Sequence, residues 1–313
     1  MIFIFFLLLI LLFILITSYV CFYLTFYVPQ KRKGQKLGFD FPDGDAYKPF
    51  KEQIRAWREQ LNTLPYDTVS VTSFDGLTLR GRYYEKHKGA PIELMMHGYR
   101  GDSQRDLCGG VDRAFRIGHN VLLVDQRAAG TSDGDVISFG INESRDVLVW
   151  LDYLSSRFGN DIKVILTGIS MGASTVLMSL ERDLPNFVVG ILADCGYSSA
   201  KDIIKLVVKD MKLPPNICYP FIKLGALLYG KFNLDELTAV DAVKKANIPI
   251  IFIHGNQDKF VPHEMSIENF NACTSEHKKL VIIDGAAHGL AFPYSPDEYV
   301  NALKEFFAYI YNN

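Results

Sequence analysis

Six short apolar runs, each stopping at a polar or glycine residue, constrain this chain most. They cover residues 92–96 before His97-Gly98, 121–124 ending at Asp125, 164–166 ending at Gly168, 187–193 ending at Asp194, 250–253 ending at His254-Gly255, and 280–283 ending at Asp284-Gly285. Patterns of helical period fall between them, at 105–117, 143–157, 171–182, 263–272 and 297–309. A strand apolar on both sides must be covered on both faces, so the alternation predicts an α/β fold with a mostly parallel central sheet flanked by helices. An antiparallel hairpin precedes it, with alternating strands at 69–72 and 77–84 around Phe74-Asp75-Gly76. Ligands of such sheets bind beyond the carboxyl ends of the strands, and the polar residues of interest sit at those ends.

One stretch breaks the rhythm. Residues 198–245 hold no convincing strand, only two apolar helical patterns, 201–211 and 219–229, separated by Pro214-Pro215. Inserted after a strand at the ligand-binding edge, they read as a small helical lid.

The N-terminus obeys a different solvent. Residues 2–28 carry no charge, and about 20 apolar residues cross a hydrocarbon core. Tyr19, Tyr23 and Tyr27 gather where an aromatic belt would lie. A cleavable signal would need a basic start, a shorter apolar core and an Ala-x-Ala-like site, none of which is present. Residues 1–28 are therefore expected to be a retained transmembrane anchor, giving a single-pass membrane protein. Lys31-Arg32-Lys33 follow the span, which by the positive-inside rule puts the remainder in the cytoplasm. Residues 29–65 read as a juxtamembrane linker, rich in Pro, Gly and charge up to residue 48, followed by an amphipathic helix with Phe50, Ile54, Trp57 and Leu61 at helical spacing. That helix either packs on the domain or lies on a membrane surface. Residues 66–313 form the α/β domain.

Chemistry concentrates at Gly168-Ile169-Ser170-Met171-Gly172. A strand before and a helix after are the context of a nucleophile elbow, in which a sharp turn lifts the serine above the sheet. Serine needs a base. His288, in a loop after the last apolar run, is the best placed. His97 and His254 precede glycines at strand ends and are expected to shape turns, His119 lies at the wrong end of the sheet, and His87, His263 and His277 lie in polar segments. The imidazole in turn needs a carboxylate to hold one tautomer. Asp258 is the first choice and Asp194, one strand earlier, the competitor. An oxyanion needs two aimed N–H groups. Met171, after the serine, and Tyr99, after His97-Gly98, are the expected donors. Asp125 and Arg127 are expected to tie the loop at 125–134 rather than meet substrate.

Composition closes off other classes. A net charge of −2 gives no electrostatic footprint for nucleic acid. The cysteines outside the apolar N-terminus are Cys108, Cys195, Cys218 and Cys273, scattered without a CxxC, so neither a disulfide framework nor a zinc site is expected. Neither a metal nor an organic cofactor is implied.

Taken in order, His97-Gly98-Tyr99, Asp125-Gln126-Arg127-x-x-Gly130-x-Ser132-x-Gly134, the elbow, Ala193-Asp194-Cys195-Gly196-Tyr197, His254-Gly255-x-x-Asp258-x-x-Val261-Pro262 and His288-Gly289 resemble the bacterial α/β-hydrolases of the serine aminopeptidase/BEM46-like group, often membrane-anchored. The resemblance covers about residues 66–310. It implies the α/β-hydrolase fold, with Ser170 as nucleophile, Asp258 as acid and His288 as base. It implies substrate poorly, because the group mixes esterases, lipases, thioesterases and peptidases. The expected activity is hydrolysis of a carboxylic ester of an acyl or lipid-like small molecule, with the bilayer as partner through the N-terminal helix. A peptidase or aminopeptidase, and a non-catalytic binding protein on the same fold, are the competing readings.

Overall fold

The structure, a computed structural model, describes residues 2–29 and 44–312. Residues 30–43 of the expected linker, with the Lys31-Arg32-Lys33 cluster, lie outside the described residues. The chain begins with α1 (Ile2–Thr25), resumes with a 3₁₀ turn (Asp45–Phe50), and continues through α2 (Lys51–Thr63), β1 (Asp67–Thr72), β2 (Thr78–Tyr84), β3 (Ile92–Met96), α3 (Ser103–Arg116), β4 (Asn120–Asp125), α4 (Glu143–Phe158), β5 (Val164–Ile169), α5 (Met171–Met178) and β6 (Val188–Asp194). A helical excursion follows, with α6 (Ala200–Asp210), α7 (Pro215–Gly225), a π-helical turn (Ala226–Gly230) and α8 (Ala239–Ala242). The chain closes with β7 (Ile250–Gly255), α9 (Glu264–Ala272), β8 (Lys278–Ile283), α10 (Ala291–Tyr294) and α11 (Pro296–Asn312).

The eight strands form one sheet in the order β1-β2-β4-β3-β5-β6-β7-β8. The first two pairings, β1 with β2 and β2 with β4, are antiparallel, and every later one is parallel. All six apolar runs are strands, and the Asp-Gly turn joins β1 to β2 as the alternation required. The faces divide as the pleat demands. Leu94 and Met96 of β3 join one core, with Trp150 of α4, Val176 of α5 and Ile203 of α6. Met95, between them, joins the other, with Trp57 of α2, Leu107 of α3 and Phe306 of α11. Burial of each such side chain contributes about 1.5–3 kcal/mol.

Two helices differ from their expected bounds, and α10 was not expected. The helix expected at 171–182 gives way after Met178 to a 3₁₀ turn, where the Ser179 hydroxyl donates back to the Val176 carbonyl. The helix expected at 219–229 begins at Pro215, whose ring suits a first helical position, and its last turn widens into the π-helical one. At four residues, α10 is too short to show periodicity.

The amphipathic helix packs on the domain. Trp57 stacks on Phe292, their ring centroids 5.1 Å apart. The C-terminal end of α1 also joins the body: Phe22 and Phe26 are buried in the first core. Val28 donates to the Asp135 carbonyl at 2.7 Å, and Ile137 donates to that of Phe26 at 2.9 Å.

Beneath the sheet, β3 carries a buried charge. Glu93 accepts from Arg113 at 2.6 Å, from Thr167 at 2.8 Å and pairs with His119 at 2.8 Å. Burial pushes its carboxyl up, but Arg113 and His119 outweigh that and hold it at about 2. Its contribution to stability is therefore complete above the ordinary carboxylate range and fades as pH falls from about 4 toward 2. Glu93→Ala should leave Arg113 buried and unpaired and lower unfolding free energy by about 3–5 kcal/mol, read from urea denaturation at neutral pH. The gap between variant and parent should narrow as the pH is lowered through that window.

Candidate active site

The turn from β5 into α5 is held by backbone contact. A Cβ on Gly168 would lie 2.2 Å from the Gly172 carbonyl carbon, and one on Gly172 would lie 2.0 Å from the Met96 carbonyl oxygen. Only glycine fits two residues either side of Ser170, which is why the motif reads G-x-S-x-G. Ser170 itself takes φ 56° and ψ −121°, a sparsely populated conformation for a residue with a side chain. Its N–H donates to the Asp194 carbonyl at 2.8 Å, pinning the turn to β6.

Ser170 Oγ lies 3.0 Å from His288 Nε2, and His288 Nδ1 lies 2.6 Å from Asp258 Oδ2. Nδ1 faces a carboxylate and so carries the ring proton, which leaves Nε2 to accept from the serine hydroxyl. The loop after β8 and the loop after β7 bring these groups together across 118 and 30 residues of sequence. Asp258 is saturated: Oδ1 accepts from the N–H groups of Phe260 and Val261 at 2.9 and 2.8 Å, and Oδ2 also meets His254 Nε2 at 3.0 Å. Burial raises its carboxyl, but the hydrogen bonds from His254 and His288 overcome this and hold it well below the usual carboxylate range. A serine hydroxyl on an imidazole oriented by a carboxylate can lose its proton as it attacks an electrophile.

Asp194, the competing carboxylate, faces elsewhere. Its Oδ2 accepts from the Tyr299 hydroxyl at 2.8 Å, and burial raises its carboxyl. The loop after β3 runs beside the serine: a Cβ on Gly98 would lie 3.6 Å from Ser170 Cβ. The Gly98 N–H donates to Asp106 Oδ2 at 3.0 Å, and Asp106 is itself paired with Arg105 at 2.6 Å. The side chains of the next two residues reach back to α1. Tyr99 donates to the Thr25 carbonyl at 2.6 Å, and Arg100 donates to that of Leu24 at 2.7 Å. Met171 opens α5.

His97 and His254 behave as strand-end residues. His97 Nε2 accepts from the Gln126 N–H at 3.0 Å. His254 does more than shape a turn, because its Nε2 faces both Asp258 and the Val261 carbonyl, at 3.0 Å each, while Ser266 occupies Nδ1 at 2.7 Å. Asp125 and Arg127 tie their loop: Asp125 accepts from Ser103 and Thr131, and Arg127 clasps Asp146 with two bonds of 2.7 Å. Two further neighbours are Tyr47, which had no signal in the sequence, and Cys195, which the sequence marked only within a motif. The Tyr47 hydroxyl donates to the His288 carbonyl at 2.8 Å, bracing that loop from the segment before α2. Cys195, with φ 46°, brings its thiol among Asp258 and His288, ligand atoms within 4.8 Å of one another. The set is ill suited to a metal, since Asp258 and His288 are bonded to each other and burial keeps the thiol protonated.

A cavity of about 470 Å³ opens at this edge, lined by Ser170, His288 and Tyr99 and walled by Ile54, Trp57, Leu290 and Phe292. That volume suits a small organic ligand. No wall residue comes from 198–245. The segment read as a lid is helical and apolar as expected, but the helices beside the cavity are α2, α3 and the short α10. Gly172→Ala should break the turn: its Cβ would overlap the β3 carbonyl, costing about 3 kcal/mol or more. A fall in urea midpoint larger than that of Gly76→Ala, whose Cβ would meet open space, checks this.

A family model described as "Serine aminopeptidase, S33" matches residues 236–293. The protein is 24% identical over 191 residues to the uncharacterized protein YqkD of Bacillus subtilis, a match covering 61% of this chain and 62% of YqkD, less than two thirds of its length. It is 22% identical over 244 residues to Protein bem46 of Schizosaccharomyces pombe, covering 76% and 74% of the two chains. Among solved structures, the Pyrococcus furiosus esterase Pf2001 superposes with a TM-score of 0.66 at 21% identity, covering 80% of this chain and 92% of that one. With the sheet order and the elbow, these likenesses show that the chain has the α/β-hydrolase fold and is similar to the BEM46-like group.

Proposed function

We propose that the protein hydrolyses a carboxylic ester through an acyl-enzyme intermediate, with Ser170 as nucleophile, His288 as general base and Asp258 as the carboxylate that orients it. The observation that carries this reading is the unbroken line from Ser170 Oγ through His288 to Asp258, at 3.0 and 2.6 Å. As Ser170 attacks the ester carbonyl, its proton passes to His288 Nε2. The imidazolium is stabilised by a carboxylate that stays ionised. The backbone N–H groups of Tyr99 and Met171 receive the oxyanion. His288 then protonates the departing alcohol, and water, activated by the same nitrogen, releases the acid.

An acyl or lipid-like substrate fits the apolar wall of Ile54, Trp57 and Phe292. It also fits a chain whose first helix is long and apolar enough to cross a membrane. With α1 as a retained anchor, Lys31-Arg32-Lys33 favour a cytoplasmic catalytic domain. The description of the matching family model supports a second reading, an aminopeptidase.

Incubation with a fluorophosphonate should label the parent covalently and leave Ser170→Ala unlabelled; a folded parent that resists labelling would favour the binding-protein reading. Asp258→Asn should leave the fold intact and lower kcat on a p-nitrophenyl ester by about three to four orders of magnitude, because the amide favours the wrong imidazole tautomer. The parent should cleave p-nitrophenyl esters faster than aminoacyl anilides; the reverse order would favour the peptidase.

A further inference from the structure

We propose that α7 and the π-helical turn after it enter the bilayer beside α1, as a second membrane-embedded element. This rests on the reading of α1 as a bilayer-spanning helix and goes beyond it.

Length carries the inference. From Phe13 onward α1 is covered on one side by the helical excursion. Phe13 meets Phe221 edge to face at 6.4 Å, and the Tyr229 hydroxyl donates to the Leu15 carbonyl at 3.1 Å. At Gly225 the backbones touch: an added Cβ would lie 2.4 Å from the Ser18 carbonyl oxygen. The uncovered part, residues 2–12, reaches only about 16 Å at 1.5 Å per residue. A hydrocarbon core is about 30 Å thick. To span it, α1 must be immersed as far as about residue 20. That boundary falls at Tyr19 and Tyr23, where an aromatic belt belongs. Phe221 and Gly225, packed on Phe13 and Ser18, then lie inside it.

The outward face of α7 has the composition this requires. Tyr219, Ile222 and Ala226 point into the body and are buried. Ile217, Pro220, Leu224 and Leu227 form an apolar stripe on the outward side at helical spacing, flanked by Asn216 and by Lys223. Ile217 is 64% exposed and Leu227 54% exposed. A helix facing water would carry charge there. Besides Lys223, whose ammonium is paired with Asp235, Lys231 follows the apolar stripe at the end beside Phe22, placed to reach lipid headgroups along its apolar stem. The partner this surface fits is thus the interfacial and outer acyl region of a bilayer.

The test uses full-length protein in vesicles of phosphatidylcholine and phosphatidylglycerol containing acyl-brominated phosphatidylcholine. Ile217→Trp reports on α7 and Ile16→Trp on α1, each read against the parent, whose Trp57 and Trp150 are buried. Bromolipid should quench both added tryptophans, Ile217→Trp by at least half as much as Ile16→Trp. Quenching of Ile16→Trp alone overturns the proposal and leaves the anchor standing. Quenching of neither overturns both. Leu227→Trp repeats the reading if Ile217→Trp does not fold.

Discussion

The contact on which the site depends is between backbones: α5 begins so close to β3 and β5 that Gly172 and Gly168 admit no side chain. That approach forces Ser170 into positive φ and lifts its hydroxyl over the edge of the sheet. A turn this tight survives only because its surroundings over-determine it. The Asp194 carbonyl holds the serine N–H, and the surrounding strands are paired along their lengths. The cost of the strained residue is spread over a sheet that cannot relax locally.

Around that point the structure fixes side chains by saturating them. Asp258 has four donors, His254 three partners and His288 one partner on each nitrogen. An acid so thoroughly bonded keeps its charge, and an imidazole beside it keeps its tautomer. The proposed chemistry needs both. Tyr47 and Asp106 extend the same logic outward, one bracing the His288 loop and the other the Gly98 loop.

The N-terminal segment is more closely joined to the domain than a tethered anchor requires. Its last turn is capped by Tyr99 and Arg100, from the very loop that runs beside Ser170. Phe26 packs edge to face on Phe139, and Phe139 in turn lies against Tyr99. The end of α1 is thereby part of the support of the proposed oxyanion loop, and its middle, from Phe13 to Phe22, is packed on α7 and the turn after it.

Much of this was legible in the sequence because it is local. Period-2 and continuous apolar runs report strand burial directly, and the Gly-x-Ser-x-Gly spacing reports a turn whose sterics act within five residues. The Ser…Asp…His order of the strand ends also singled out Asp258, which the fold bonds to His288, ahead of Asp194, which it bonds to Tyr299. What tertiary structure decided is everything joined across long separations. Tyr47 reaches His288 over 241 residues, and Tyr229 reaches Leu15 over 214. His254 turns from strand-end residue to partner of Asp258. The cavity is walled by α2 and α3 rather than by the helices at 198–245, and α7 packs beside α1. No periodicity encodes these pairings, because a side chain's partner depends on how whole elements pack, and that packing is fixed by the burial of both faces of the sheet at once.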